Sequence, residues 1–199
     1  MFVVTVDQRS SRTDRDRVPD VLAAYADVPT VRPFDRTAGD ELQAVFDDAA
    51  AVVPVALDLA SSGHWSVGIG VGGVDLPLPE TTRAGRGQAF ENAREAVEAA
   101  KRDRRRFRVV GASPWTAHAQ TAAALLLDTM SSRSDAGREA VALMRTGVPQ
   151  TVAASSLSIT PQAMSARLQA AGWDVQLPGE ALVAAALDAA TLDTGMADR

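Results

Sequence analysis

The sequence predicts an α+β fold in two parts: a sheet-and-helix domain over residues 1–112, followed by an all-α domain over 113–199. Two observations predict it. Short β-branched runs separated by glycine-bearing turns recur in the first half, and past Gly111 the chain turns alanine-rich with few strand formers. At 199 residues and 46% apolar, the chain can bury a modest core in each part.

The first strand is Phe2-Val3-Val4-Thr5-Val6, and it stops at Asp7, where a polar run over 8–16 begins. A second strand is expected over 30–35. Residues 34–46 read as strand, turn, strand, with Gly39-Asp40-Glu41 at the hairpin tip, because Gly39 supplies the positive φ of a tight turn. Asp7 and Asp40 are then two carboxylates suited to one hard cation, Mg²⁺ or Mn²⁺, whose oxygen shell is completed by water and substrate phosphates. The plainer alternative makes Asp7 a loop cap and Asp40 an ordinary turn residue.

Residues 65–73 read as a further strand with alternating small residues. Its glycines, Gly68, Gly70 and Gly72, admit either a phosphate or another backbone. A proline-rich loop at 76–80 leads through Gly85-Arg86-Gly87 to a helix over 89–102, with Phe90, Ala93, Val97 and Ala100 on one stripe. Arg94 lies off that stripe and is available to a cleft. A last strand over 107–111 follows the basic run 101–106.

This order of strand, helix, hairpin, helix, strand, helix, strand resembles the palm domain of class III nucleotide cyclases and of their polymerase and diguanylate-cyclase relatives. The motifs that carry the likeness are Asp7, Gly39-Asp40, Gly68-Ile69-Gly70-Val71-Gly72 and Ala93-Arg94. A closer resemblance is to the bacterial SatD family. It rests on Asp7-Gln8-Arg9-Ser10-Ser11-Arg12, Gly39-Asp40-Glu41, Gly68-Ile69-Gly70 and Gly87-Gln88-Ala89-Phe90-Glu91-Asn92-Ala93-Arg94-Glu95-Ala96, and covers about residues 1–112. The resemblance implies a ferredoxin-like, nucleotide cyclase-like palm in which Asp7 and Asp40 hold Mg²⁺ or Mn²⁺ on a triphosphate. Arg94 would stabilise phosphate charge, and Arg36, Gly39, Glu41, Gly70 and Gly72 would contact the nucleotide. Two departures favour a nucleotide-binding or degenerate palm over a working cyclase. Phe90 stands where cyclases place an asparagine, and Arg36 stands where adenylyl cyclases place an adenine-selecting lysine.

In the second half, helices are expected over 117–130 and 135–145, then a short helix over 150–157, a turn at 158–159, and a helix over 161–171. Thr160 is its N-cap, Pro161 its first residue, and Gly172 ends it. Met164, Leu168 and Ala171 form an apolar stripe over Leu157 and Ile159, which leaves Gln162, Ser165, Ala166 and Gln169 facing outward. Residues 151–173 resemble the helix-turn-helix of sigma-factor region four and of MarR-like regulators. That resemblance implies DNA readout by Gln162, Ser165, Arg167 and Gln169. An ordinary helical hairpin is the alternative.

Charge tempers the DNA reading. The net charge is −5, and after Gly111 five arginines stand against eight carboxylates, whereas a DNA binder draws most of its affinity from a basic surface. Dimerisation would double the contacts, and the basic run 102–108 would either add phosphate contacts or form a solvated face. With no cysteine, and with His64 and His118 far apart in sequence, zinc is not expected. His64 is expected at a helix end, and 191–199 as a frayed tail. Charges at Asp7 and over 9–17 interrupt the first apolar segment, so neither a leader nor a membrane anchor is expected. The combined expectation is a cytoplasmic, homodimeric DNA-binding transcriptional regulator with a nucleotide- and metal-binding domain. The alternatives are a nucleotidyl cyclase or nucleotidyltransferase-like enzyme, or a plain interaction module.

Overall fold

The structure, a computed structural model, describes residues 1–197. In its first half β1 (Phe2–Gln8) is followed by α1 (Val18–Ala24), the hairpin β2 (Arg32–Ala38) and β3 (Glu41–Phe46), α2 (Ala49–Ser61), β4 (Trp65–Val71), α3 (Gln88–Ala100) and β5 (Phe107–Val110). The sheet order is β2-β3-β1-β4-β5. All neighbours are antiparallel except β4 and β5, the pair that α3 connects as a crossover.

The two faces of the sheet are covered by different helices. Phe2, Val4, Val6, Val67 and Ile69 point into a core shared with α2, whereas Val3 and Val45 pack under Ala89, Phe90 and Ala93 of α3. Because β1 and β4 are buried on both faces, they are nearly continuous apolar runs. Gly68 and Gly70 lie on the α3 side, and α3 rests directly on them. A Cβ at Gly70 would lie 2.1 Å from the Ala89 carbonyl oxygen and 2.2 Å from the Ala93 nitrogen.

The second half consists of α4 (Trp115–Ser131), α5 (Asp135–Arg145), α6 (Gln150–Ser156), α7 (Pro161–Ala170) and α8 (Trp173–Ala197). The apolar cores do not follow the boundary expected at residue 112. Leu127 and Met130 of α4 and Val183 and Leu187 of α8 belong to the same cluster as Phe2 and Ile69, so these two helices complete the layer that α2 begins. Only α5, α6 and α7 have a core of their own, built from Ala140, Val141, Ala153, Ala154, Met164, Leu168 and Ala171.

A buried polar chain ties that three-helix unit to the rest. Arg133 donates from Nε to the Ala171 carbonyl (2.7 Å) and from Nη2 to Gln176 Oε1 (2.8 Å). Gln176 donates to Glu180 (2.7 Å), which also accepts from Arg145 (3.0 Å). Burial lowers the Arg133 pKa, and this network is what makes burying the cation tolerable.

Several boundaries differ from the sequence reading. β1 runs to Gln8, so Asp7 sits inside the strand, one residue before its end, and β2 runs to Ala38, with irregular register at two points. His64 lies between α2 and β4, two residues past the α2 C-cap. Helix α8 continues to Ala197 through the expected frayed tail, and residues 198–199 lie outside the described residues. Pro178 and Gly179 interrupt its pattern in the sequence. Gly179 nevertheless admits the Leu126 side chain, which would come within 2.5 Å of a Cβ there.

Candidate functional site

Strand register brings the two aspartates to one end of the sheet. Asp7 pairs with Glu41 across β1 and β3, and the next residue, Gln8, donates its backbone N–H to the Asp40 carbonyl at 3.2 Å. Directly opposed Cα atoms in such a ladder are about 5 Å apart, so residues some thirty positions apart in sequence lie within a nanometre of one another. The hairpin loop is the two-residue Gly39-Asp40, with Gly39 at φ +57°, the conformation for which glycine was expected there.

The side chains do not all converge. Alternation along β1 sends Asp7 to the α3 face, where Lys101, the α3 C-cap, places its Nζ 2.9 Å from Asp7 Oδ2 and 2.7 Å from Glu98 Oε1. Burial pushes the Asp7 carboxyl above its ordinary value despite that ammonium. Burial alone would lower Lys101, but the carboxylates of Glu98 and Asp7 more than reverse this and raise it. Asp40 lines a cavity of about 280 Å³ with Gln8, Ser11, Asp16 and Gly39, and Asp7 does not line it. Arg36 reaches Asp16 at 2.5 Å beside that cavity, and Glu41 accepts from Thr37 Oγ1 at 2.5 Å.

Carboxylate oxygens are suitable donors for Mg²⁺ or Mn²⁺, but a lysine ammonium already holds the cationic position at Asp7. No group of three Asp, Glu or His side chains among the described residues is close enough to hold an ion. Lys101 is the residue the sequence reading missed. Its signal was the Glu98–Lys101 spacing at the end of the helix that crosses β1.

Two other assignments change. Gly70 and Gly72 were expected at a nucleotide, yet the α3 backbone fills the space beside Gly70, and Ala89 and Gln88 lie 3.1–3.4 Å from a Cβ at Gly72. Arg94 is not at the aspartate end. Seven residues of helix, about 10 Å of rise, separate it from Lys101. It lines a cavity of about 640 Å³ with Arg83, Arg86, Gly87 and Glu91. Phe90, at the position where the resemblance to cyclases implies an asparagine, is buried with its ring over Gly85. Asn92 is structural, donating to the Val71 carbonyl at 2.8 Å.

In the three-helix unit, Thr160 caps α7 by accepting from the Ala163 N–H (3.1 Å), and Gln162, Ser165 and Gln169 are exposed. Gln150 donates to Ser165 Oγ at 2.7 Å. Arg167 leaves this face and pairs with Glu139 of α5 at 3.6 Å. Every arginine past residue 112 among the described residues is engaged: Arg133 with Gln176, Arg138 with Asp135, Arg145 with Glu180, and Arg167 with Glu139. The basic run is also largely tied down, Arg104 and Arg105 to Asp128 and Arg108 to Asp103. No helix among the described residues is long and apolar enough to cross a membrane. In comparisons with protein-family models, curated proteins and solved structures, nothing matches this chain.

Proposed function

We propose that this protein is a nucleotide-responsive regulator in which a ferredoxin-like, cyclase-like palm binds a nucleotide at the Asp7–Asp40 end and the α6–α7 pair of the α5–α7 unit acts as a helix-turn-helix on DNA. The observation that carries it is the register that brings Asp7, Glu41 and the Gly39-Asp40 loop together at one edge of the sheet. The strand order β2-β3-β1-β4, from a β-α-β-β-α-β chain order, supports the palm, and the separate core of α5–α7 supports the helix-turn-helix. Mg²⁺ or Mn²⁺ arriving with a triphosphate would meet Asp40 in its cavity, while Lys101, already paired with Asp7, would present its charge to phosphate oxygens. A homodimer would double the DNA contacts of a unit whose own cations are neutralised.

Equilibrium titration with each nucleoside triphosphate plus Mn²⁺ tests the first half. Saturable binding that drops at least tenfold in Asp40→Ala is expected, and binding indifferent to that change would refute the site. Footprinting at low salt tests the second half. Protection that survives Gln162→Ala with Gln169→Ala on every fragment would remove α7 as the reading helix.

An enzyme is the second reading. It is favoured by Arg83, Arg86 and Arg94, which line one cavity and make no ion pair among the described residues. Pyrophosphate and a cyclic or linear product, formed with Mn²⁺ and lost in Arg94→Ala, would establish it.

A further inference from the structure

Helices α4 and α8 lie antiparallel. Ser113, just before α4, donates to Asp193 near the end of α8 at 2.6 Å, while Thr129 at the far end of α4 meets Gly172 just before α8. Their inner faces belong to the main core through Ala119, Ala123, Leu127, Val183 and Leu187. Their outer faces are largely apolar too, broken on α4 by His118 and Thr129. On α8 the residues Val175, Pro178, Leu182, Ala185, Ala189 and Leu192 follow one another at alternating steps of three and four, and on α4 Trp115, His118, Ala122, Leu125 and Thr129 do the same. That is the spacing of a helix seam that packs against another helix. Here the seam faces outward: Trp115 is 45% exposed, Leu125 67%, Leu182 61% and Leu192 70%. Between the helices runs a groove of about 510 Å³ whose lining contains no Asp, Glu, Lys or Arg.

We propose that this face joins two copies of the chain, with α4 and α8 of one against α4 and α8 of the other as a four-helix bundle about a two-fold axis. A two-fold interface must fit itself, so one patch has to carry both the projections and the recesses. This one does: Leu125 and Leu182 project beside the recess formed by Ala122, Ala185 and Ala189. The exposed fractions correspond to on the order of 500 Å² of apolar surface on each copy, more than a scattering of single surface residues leaves. Two such faces together bury on the order of 1,000 Å², at the lower end of what a specific interface requires. With no charged side chain in the groove, closing it strands no ion. The same absence of cations argues against nucleic acid or an anionic bilayer as the occupant.

The test is the mass of the full chain by sedimentation velocity at micromolar concentration, without nucleotide or DNA, so that failure here is separate from failure of the reading above. Twice the chain mass of 20.9 kDa is expected. Leu182→Glu and Ala185→Arg are each expected to weaken self-association at least a hundredfold with far-UV circular dichroism unchanged, since both positions are exposed. Leu76→Glu, equally exposed but in the loop before α3, should leave the dimer intact. A wild-type chain that stays monomeric to 100 μM (about the reach of a weak interface) overturns the proposal. So does a dimer that survives both groove variants, or a monomer that instead binds vesicles of neutral phosphatidylcholine through Leu182.

Discussion

Lys101 is the residue on which the character of the aspartate end turns. Its ammonium sits between Asp7 and Glu98, so a cation is built into the chain at the point where the motif pattern implied a bound metal. The sign of its pH dependence follows from its raised pKa. The stabilisation of the pair is fully present below the ordinary lysine value of 10.5 and is lost as pH rises through the higher folded value. Asp7 behaves differently. Because burial raises its pKa above 3.8, its contribution to stability is greatest below that value and is lost as pH rises through the folded pKa. Asp7→Asn is expected to lower the Lys101 pKa towards or below its ordinary value, since Glu98 alone then opposes the burial of the ammonium. Following the Lys101 Cε proton shifts through an alkaline NMR titration checks this, and an unchanged midpoint would mean that Asp7 contributes nothing to the pair.

Among the elements, α3 and the α5–α7 unit show opposite ways of reading a motif. The Gly68-Ile69-Gly70 strand leaves room in its sequence for a phosphate or another backbone, and the structure gives that room to helix-on-strand contact, with Val97, Ala89 and Ala93 backbone atoms within 2.1–2.3 Å of where a Cβ would stand. Backbone cannot rotate out of the way as a side chain can. Gly70→Ala should therefore cost about 3 kcal/mol or more, measured by urea denaturation, with α3 displaced from the sheet. The α5–α7 unit is held to α8 by the Arg133–Gln176–Glu180 chain. Gln176→Ala should cost about 2–3 kcal/mol, because it leaves both a buried guanidinium and a buried carboxylate short of a partner. A loss below about 0.5 kcal/mol would show that water takes over both bonds.

For the whole molecule, the division of the chain that composition suggests is not the division of its cores. Leu127, Met130, Val183 and Leu187 cover the same sheet face as α2, so a fragment of residues 1–112 should lack a cooperative thermal transition and bind an apolar dye. Sharp two-state melting of that fragment would contradict the shared core. Local signals were legible wherever the chemistry is local. The Gly39-Asp40 turn, the Thr160 cap with Pro161, and the outward face of Gln162, Ser165 and Gln169 all follow from a few neighbouring residues. The sequence by itself determined the alternation of strands and helices as far as α7, the Gly39-Asp40 turn, and the apolar stripes of α3 and α7, because these depend on φ/ψ preference and periodicity within one segment. Neither the long α8 nor the exposure of Leu125 on α4 was legible in it. Only the tertiary structure decided that Lys101 neutralises Asp7, that the glycines of β4 receive α3, that Arg94 sits about 10 Å along the helix from the aspartate end, and that α4 and α8 complete the sheet domain. Three of these are contacts between segments far apart in the chain, and the place of Arg94 follows from where α3 lies on the sheet; what a buried group meets is set by which elements pack against it rather than by its neighbours in sequence.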